Sequence, residues 1–189
     1  MDSSVVVEGG NGSEEEPPKA AKFVSPKTVA LYGVLTALTA AITFATFVPF
    51  APTKGYFNMG DSMVFFSAMA FGWRAGAICG GVGSAAADIL LGSGFFAPYT
   101  LVAKGSEGLV AGLVCKLRGG RKWARVLGVV TGGACMVMTY VLCELFLLDV
   151  GLGAASLEMV GNILQVAIGG TVGYLLSEYV KKAYPTAGR

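Results

Sequence analysis

The chain of 189 residues contains no histidine. That removes the side chain that most often serves as general base, proton shuttle or metal ligand near neutral pH. Charge is also scarce: 14% of residues are Asp, Glu, Lys or Arg, against about 25% in an ordinary soluble domain. The four cysteines, Cys79, Cys115, Cys135 and Cys143, are scattered through apolar segments without a CxxC pair. Neither a zinc site nor a disulfide framework is indicated, and buried thiols are the ordinary reading. No GxxxxGK[ST] loop occurs, so ATP hydrolysis by that route is excluded. A GxGxxA run at Gly81–Ala86 lies inside an apolar segment with no strand before it, and is not a dinucleotide fingerprint. With no paired-carboxylate motif and no activated nucleophile, no catalytic residue, metal or cofactor is assigned. No nucleic-acid partner is expected either.

What is present is apolar. Hydrophobic residues make up 54% of the chain, with a mean hydropathy of +0.65. Twenty-eight glycines accompany them, and small residues let helices approach closely in lipid. The composition is that of an integral membrane protein. Residues 1–25 are polar, with acidic clusters and Pro17-Pro18, and are expected to form a disordered tail without a signal-peptide core. Six hydrophobic segments follow, near 28–50, 61–71, 74–91, 98–117, 123–148 and 156–182. The expected fold is an all-α membrane bundle of six transmembrane helices over residues 26–183, with a short C-terminal tail at 184–189. Spanning alone needs about 20 apolar residues. The second segment is too short for that and requires protein around it.

Basic residues set the orientation. With a cytoplasmic N-terminus, Lys19, Lys22, Lys27, Arg74, Lys116, Arg118, Arg121, Lys122, Arg125, Lys181, Lys182 and Arg189 fall inside, and Lys54 alone falls outside. The positive-inside rule therefore places both termini in the cytoplasm, which an even number of crossings satisfies. Carboxylates show the opposite polarity. Asp61, Asp88, Glu107, Glu144, Asp149 and Glu158 all fall towards the outer side. Intramembrane charges are expensive unless they pair or face water, so an outward-facing polar cavity is expected.

Several constellations bear on that cavity. Lys104 and Glu107 share a helix face at i, i+3, either as an ion pair that fixes packing or as ligand contacts. Asp88 ends a ladder of Gly72, Gly76, Gly80 and Ser84, and either packs in the bundle or reaches the cavity. Glu158, Asn162 and Gln165 lie on one helix face, lining an interface or a pocket. Tyr56, Phe57, Phe95, Phe96 and Tyr99 form either an interfacial aromatic belt or a stacking lid. A second small-residue ladder, Gly33, Ala37, Ala41 and Ala45, serves close contact within the chain or with another membrane protein. On the ligand-contact reading, Lys104→Ala lowers affinity and leaves the protein folded.

The run Gly55-Tyr-Phe-Asn-Met-Gly-Asp61, the glycine-rich segment ending in Ala87-Asp88, Ala97-Pro98 and Lys104-Gly-x-x-Gly108 together resemble the S components of energy-coupling factor (ECF) vitamin transporters, in the riboflavin or hydroxymethylpyrimidine branch. The resemblance covers roughly residues 28–182. It implies a plasma-membrane subunit that captures a vitamin or precursor outside and docks on a transmembrane coupling protein driven by two ABC ATPases. It also implies that Ala37-x-x-x-Ala41, extended by Gly33 and Ala45, is the docking motif. By the same pattern Lys104, Glu107, Glu144, Glu158, Asn162 and Gln165 are pocket residues, with Tyr56-Phe57-Asn58 as the lid. The acid-rich rim favours a neutral or cationic ligand over a polyanion. Two other classes compete. A self-sufficient carrier commonly shows internal repeats, and none is evident. An intramembrane enzyme would need acid or base work from Asp61, Asp88 or Glu107.

Overall fold

The computed structural model describes residues 25–49, 55–149 and 151–183. Helix α1 spans Pro26–Ala45. Ser25 caps it, accepting from the Thr28 amide, and Pro26 stands where a helix has no use for an N–H. Ser25 thus belongs to the helix; residues 1–24 and 184–189, expected to be tails, lie outside the described residues, as does Lys54. The first segment was expected to remain helical to Phe50, but α1 stops at Ala45. Thr46 folds its hydroxyl onto the Ile42 carbonyl at 2.7 Å, and Pro49 cannot continue a helical ladder. Instead β1 (Val48–Pro49) pairs antiparallel with β2 (Tyr56–Phe57), with Val48 opposite Phe57 and Pro49 opposite Tyr56. This hairpin is an addition to the expected all-helical architecture.

Five helices follow: α2 (Asp61–Phe71), α3 (Trp73–Leu90), α4 (Ala97–Leu117), α5 (Lys122–Phe146) and α6 (Leu152–Ala183). Gly72, at φ +95°, turns the chain between α2 and α3, a backbone region that only glycine enters freely. The short α2 is the bundle's centre. Nine of its eleven residues are buried, and α1, α3, α4 and α6 pack around it. Enclosure by protein is what permits a helix too short to span to sit at membrane depth.

Among the described residues three helices are long and apolar enough to cross a membrane by themselves: α1, α5 and α6. Helices α3 and α4 depend on each other. Gly76 and Gly108 meet backbone to backbone, and a methyl group on either would collide with the facing main chain. That close approach buries the Gly76, Gly80, Ser84 and Asp88 face of α3. Phe65, Ala68 and Met69 of α2 pack with Ala111 and Cys115 of α4 into the main apolar core. Helix α6 starts at Leu152, a turn before the expected Ser156, and its 32 residues extend about 48 Å.

The α1 ladder faces away from all this. Gly33, Ala37, Ala41 and Ala45 are exposed, while Leu35, Thr39, Ala40 and Thr43 are buried against the bundle. Of the two readings open at the sequence level, contact within the chain is therefore not the one observed.

Candidate functional site

The site is built where the hairpin folds over the N-terminal end of α2. Asp61 opens that helix and is fully buried. Lys104, one helix away, ion-pairs directly with Asp61 and lies 3.6 Å from Glu107. All three are 3% exposed or less. Gln165 donates to both Asp61 oxygens at 3.1 Å. Its own carbonyl accepts from the Asn58 main-chain amide at 2.9 Å and from the Asn58 side chain at 3.2 Å. Asn58 in turn accepts from the Gly60 amide at 2.7 Å, and the Met59 amide donates to Thr46 at 2.8 Å. One continuous hydrogen-bonded path thus ties the hairpin to α6, α2 and α4. Buried charge is tolerable only with this degree of pairing.

Above the path lies a polar-lined cavity of about 30 Å³. Glu158, Asn162 and Gln165 of α6 all face it, as the four-then-three spacing predicts. Tyr56 and Asn58 cover it, Lys104 closes its base, and Ser84, Phe96, Thr100 and Tyr140 complete the wall. Tyr140 donates to the Thr100 hydroxyl at 3.2 Å, and its ring centroid is 5.9 Å from the Lys104 ammonium. The Asn162 amide nitrogen is buried with no hydrogen-bond partner among the described residues, which leaves a donor directed at the cavity. The Tyr56 hydroxyl donates to Asp88, so the hairpin is latched to α3 as well as to α6. Gly55 lies against the Glu158 carboxylate so closely that a Cβ there would require that side chain to shift.

Sequence-level candidates divide accordingly. Lys104, Asn162, Gln165, Glu158, Tyr56 and Asn58 are brought together around the cavity. Glu107 lies beneath it as the second carboxylate of the ion cluster. Glu144 is buried beside Glu158, and Asp88 holds the lid rather than the wall. Two candidates stand apart. Phe57 pairs with Val48 in the hairpin, and Tyr99 sits in an aromatic cluster with Phe95, centroids 5.9 Å apart. Asp149 is an exposed loop residue at φ +48°, just beyond the end of α5.

The main residue missed was the first partner of Lys104. The i, i+3 spacing pointed to Glu107, whereas Asp61, 43 positions earlier, makes the closer pair. The signal was present in Asn58-x-Gly-Asp61, because an acid at a helix start in lipid requires a cation. Thr100 also had a signal, lying one turn before Lys104 on the same face. Nothing in the sequence marked Tyr140.

Residues 23–182 match the model of the family described as ECF-type riboflavin transporter, S component. The chain belongs to that family. As an S component it is the substrate-capture subunit of a transporter, and the six-helix bundle is the architecture of that role. A protein of Pyrococcus woesei, described only as an uncharacterized protein in a gap 3' region, is 38% identical over 148 residues, covering 74% of this chain and 97% of the relative. The solved S component of a bacterial ECF transporter superposes with a TM-score of 0.61 over 84% of this chain and 95% of that one, at 19% identity. That likeness concerns the fold.

Proposed function

We propose that this S component captures riboflavin, or a flavin-like vitamin of similar size, from the outer side of the plasma membrane in the cavity beneath the hairpin. It then delivers the ligand through a transmembrane coupling protein driven by two ABC ATPases. The observation that carries the reading is the buried path from Asn58 through Gln165 and Asp61 to Lys104, set in a chain whose family is named for riboflavin transport. A planar ring with alternating donors and acceptors suits the Lys104 ammonium, the Asn162 amide and the aromatic walls of Tyr56, Phe96 and Tyr140. The Glu158 and Glu144 carboxylates suit hydroxyl donors on a polyol chain. The family is a transport family, and no residue is assigned catalytic work.

A cavity of about 30 Å³ is far below the roughly 300 Å³ or more that a vitamin-sized ligand needs. Entry therefore requires the hairpin to leave Asp88 and Gln165. The basic end of the bundle is the cytoplasmic one on this reading, and the exposed α1 ladder is the docking surface. Titrating the purified protein with riboflavin and following quenching of flavin fluorescence tests the proposal. Saturable quenching that Asn162→Ala weakens supports it. No quenching, with a thermal shift for a different vitamin, would transfer the site to that vitamin.

A further inference from the structure

The bundle's other end holds a second, larger cavity. It measures about 930 Å³ and opens where the α2–α3 junction meets the C-terminal ends of α4 and α6. Among the described residues its cations are Arg74, Lys116 and Lys181, and no carboxylate lines it. Among the described residues, the sole acidic residue at this end is Glu178, which already pairs with Arg125. Arg74 is held over the Trp73 ring at 5.0 Å, so its guanidinium is positioned rather than free. Three cations without counter-charge repel one another, and an anion among them removes that repulsion. The floor is different: Ala68, Met69 and Phe71 present apolar surface. A cationic rim over an apolar floor matches a molecule with both characters. Trp73 stands at the rim, the side chain typical of the membrane–water boundary.

We propose that this cavity binds an anionic phospholipid, its phosphate among Arg74, Lys116 and Lys181 and its first acyl methylenes on the α2 floor. Basic pockets between transmembrane helices take such headgroups. A free phosphate matches the rim but leaves the apolar floor uncovered. An acidic segment of a partner protein likewise answers the charge but not the floor.

The test uses the full chain in neutral detergent, titrated with phosphatidylglycerol, with phosphatidylcholine of the same acyl chains, and with inorganic phosphate. Thermal midpoint and bound-lipid mass are read together. The expected result is a saturable stabilisation and a retained adduct with phosphatidylglycerol alone. The Arg74→Gln/Lys116→Gln/Lys181→Gln variant should weaken it about tenfold or more. Arg118→Gln/Arg121→Gln/Lys122→Gln removes equal charge outside the cavity and should bind as the parent does. Lys116→Gln alone, at an exposed position, gives a milder decrease if the triple variant folds poorly. Equal binding of both lipids, equal loss in the two triple variants, or full stabilisation by inorganic phosphate would each overturn the proposal. So would lipid indifference together with a carboxylate-dependent cross-link from Lys116 to a coupling protein.

Discussion

At the acidic end of the bundle, Asp61 and Glu107 pair with one buried ammonium, Lys104, beneath a small cavity that Glu158 lines, with Asp88 on the hairpin latch and Glu144 beside Glu158. At the basic end, among the described residues, nine cations (Lys27, Arg74, Lys116, Arg118, Arg121, Lys122, Arg125, Lys181 and Lys182) share one carboxylate, Glu178, and three of them line an open cavity. The difference lies in how charge is paid for. Near the hairpin Asp61, Lys104 and Glu107 are buried together, so their charge depends on ion pairing rather than on water. At the other end water and headgroups screen the cations, so few partners are needed. Removing one charge should therefore be severe at the first end and mild at the second.

The strongest way to break that comparison is Lys104→Met. It leaves Asp61 and Glu107 buried without a cation, and breaking such a pair destabilises by about 3–5 kcal/mol. On the ligand-contact reading of Lys104 and Glu107, a lysine-free variant stays folded. The Asp61 contact changes that expectation to a large fall in thermal midpoint in detergent. Asp61→Asn in the Lys104→Met background should recover much of the loss. A variant as stable as the parent would show that the acidic end is wet after all. By contrast Lys122→Gln, at an exposed position of the basic end, should change stability by no more than about 0.5 kcal/mol.

Gly108→Ala comes next. Its methyl would meet the Gly76 main chain, which cannot move without parting α3 from α4. Overpacking of this kind costs about 1–3 kcal/mol. Because these two helices carry the Lys104 and Asp88 sides of the site, ligand affinity should fall along with the thermal midpoint. Gly33→Ala, with open space around it inside α1, is the matched control and should leave affinity unchanged and the thermal midpoint unchanged or slightly raised.

A smaller and more selective effect is expected from Tyr56→Phe. It removes the hydroxyl that latches the hairpin to Asp88 and keeps the ring. A hydrogen bond to a carboxylate contributes about 1.5–3 kcal/mol, so the thermal midpoint should fall moderately and the ligand should dissociate about tenfold faster. Stopped-flow release of flavin would measure it. An unchanged off-rate would mean that the path through Gln165 alone holds the lid.

The two ends were unequally legible. At the basic end the gathering of Lys and Arg was legible, because the positive-inside pattern depends on counts and not on contacts, whereas the cavity between Arg74, Lys116 and Lys181 was not. The six helices followed from apolar run lengths. The enclosure of α2 was expected from its eleven residues, since a short helix in lipid needs protein around it. The hairpin was hidden: two strands of two residues each carry no periodicity, and Phe47-Val48 reads as a continuation of the apolar α1. The acidic site was legible by composition and face, as with Glu158, Asn162 and Gln165, but not by pairing. Spacing along one helix shows who can be a neighbour. Asp61 and Gln165 reach Lys104 from other helices, and only the fold brings them there.

The smallest expected effect on the isolated protein belongs to the surface that neither end uses. Ala37 and Ala41 are exposed on α1, so Ala37→Leu meets no neighbour in this chain. Its stability should stay within about 0.5 kcal/mol of the parent, and flavin binding should be unchanged. If the ladder is where a coupling protein packs, a leucine there should still block close helix approach. Uptake in cells supplied with the coupling protein and ATPases should fall, while the purified subunit binds normally. Ala37→Gly, which keeps the surface smooth, should transport like the parent. Uptake that survives Ala37→Leu would move docking off this face of α1 and leave its small residues without a partner.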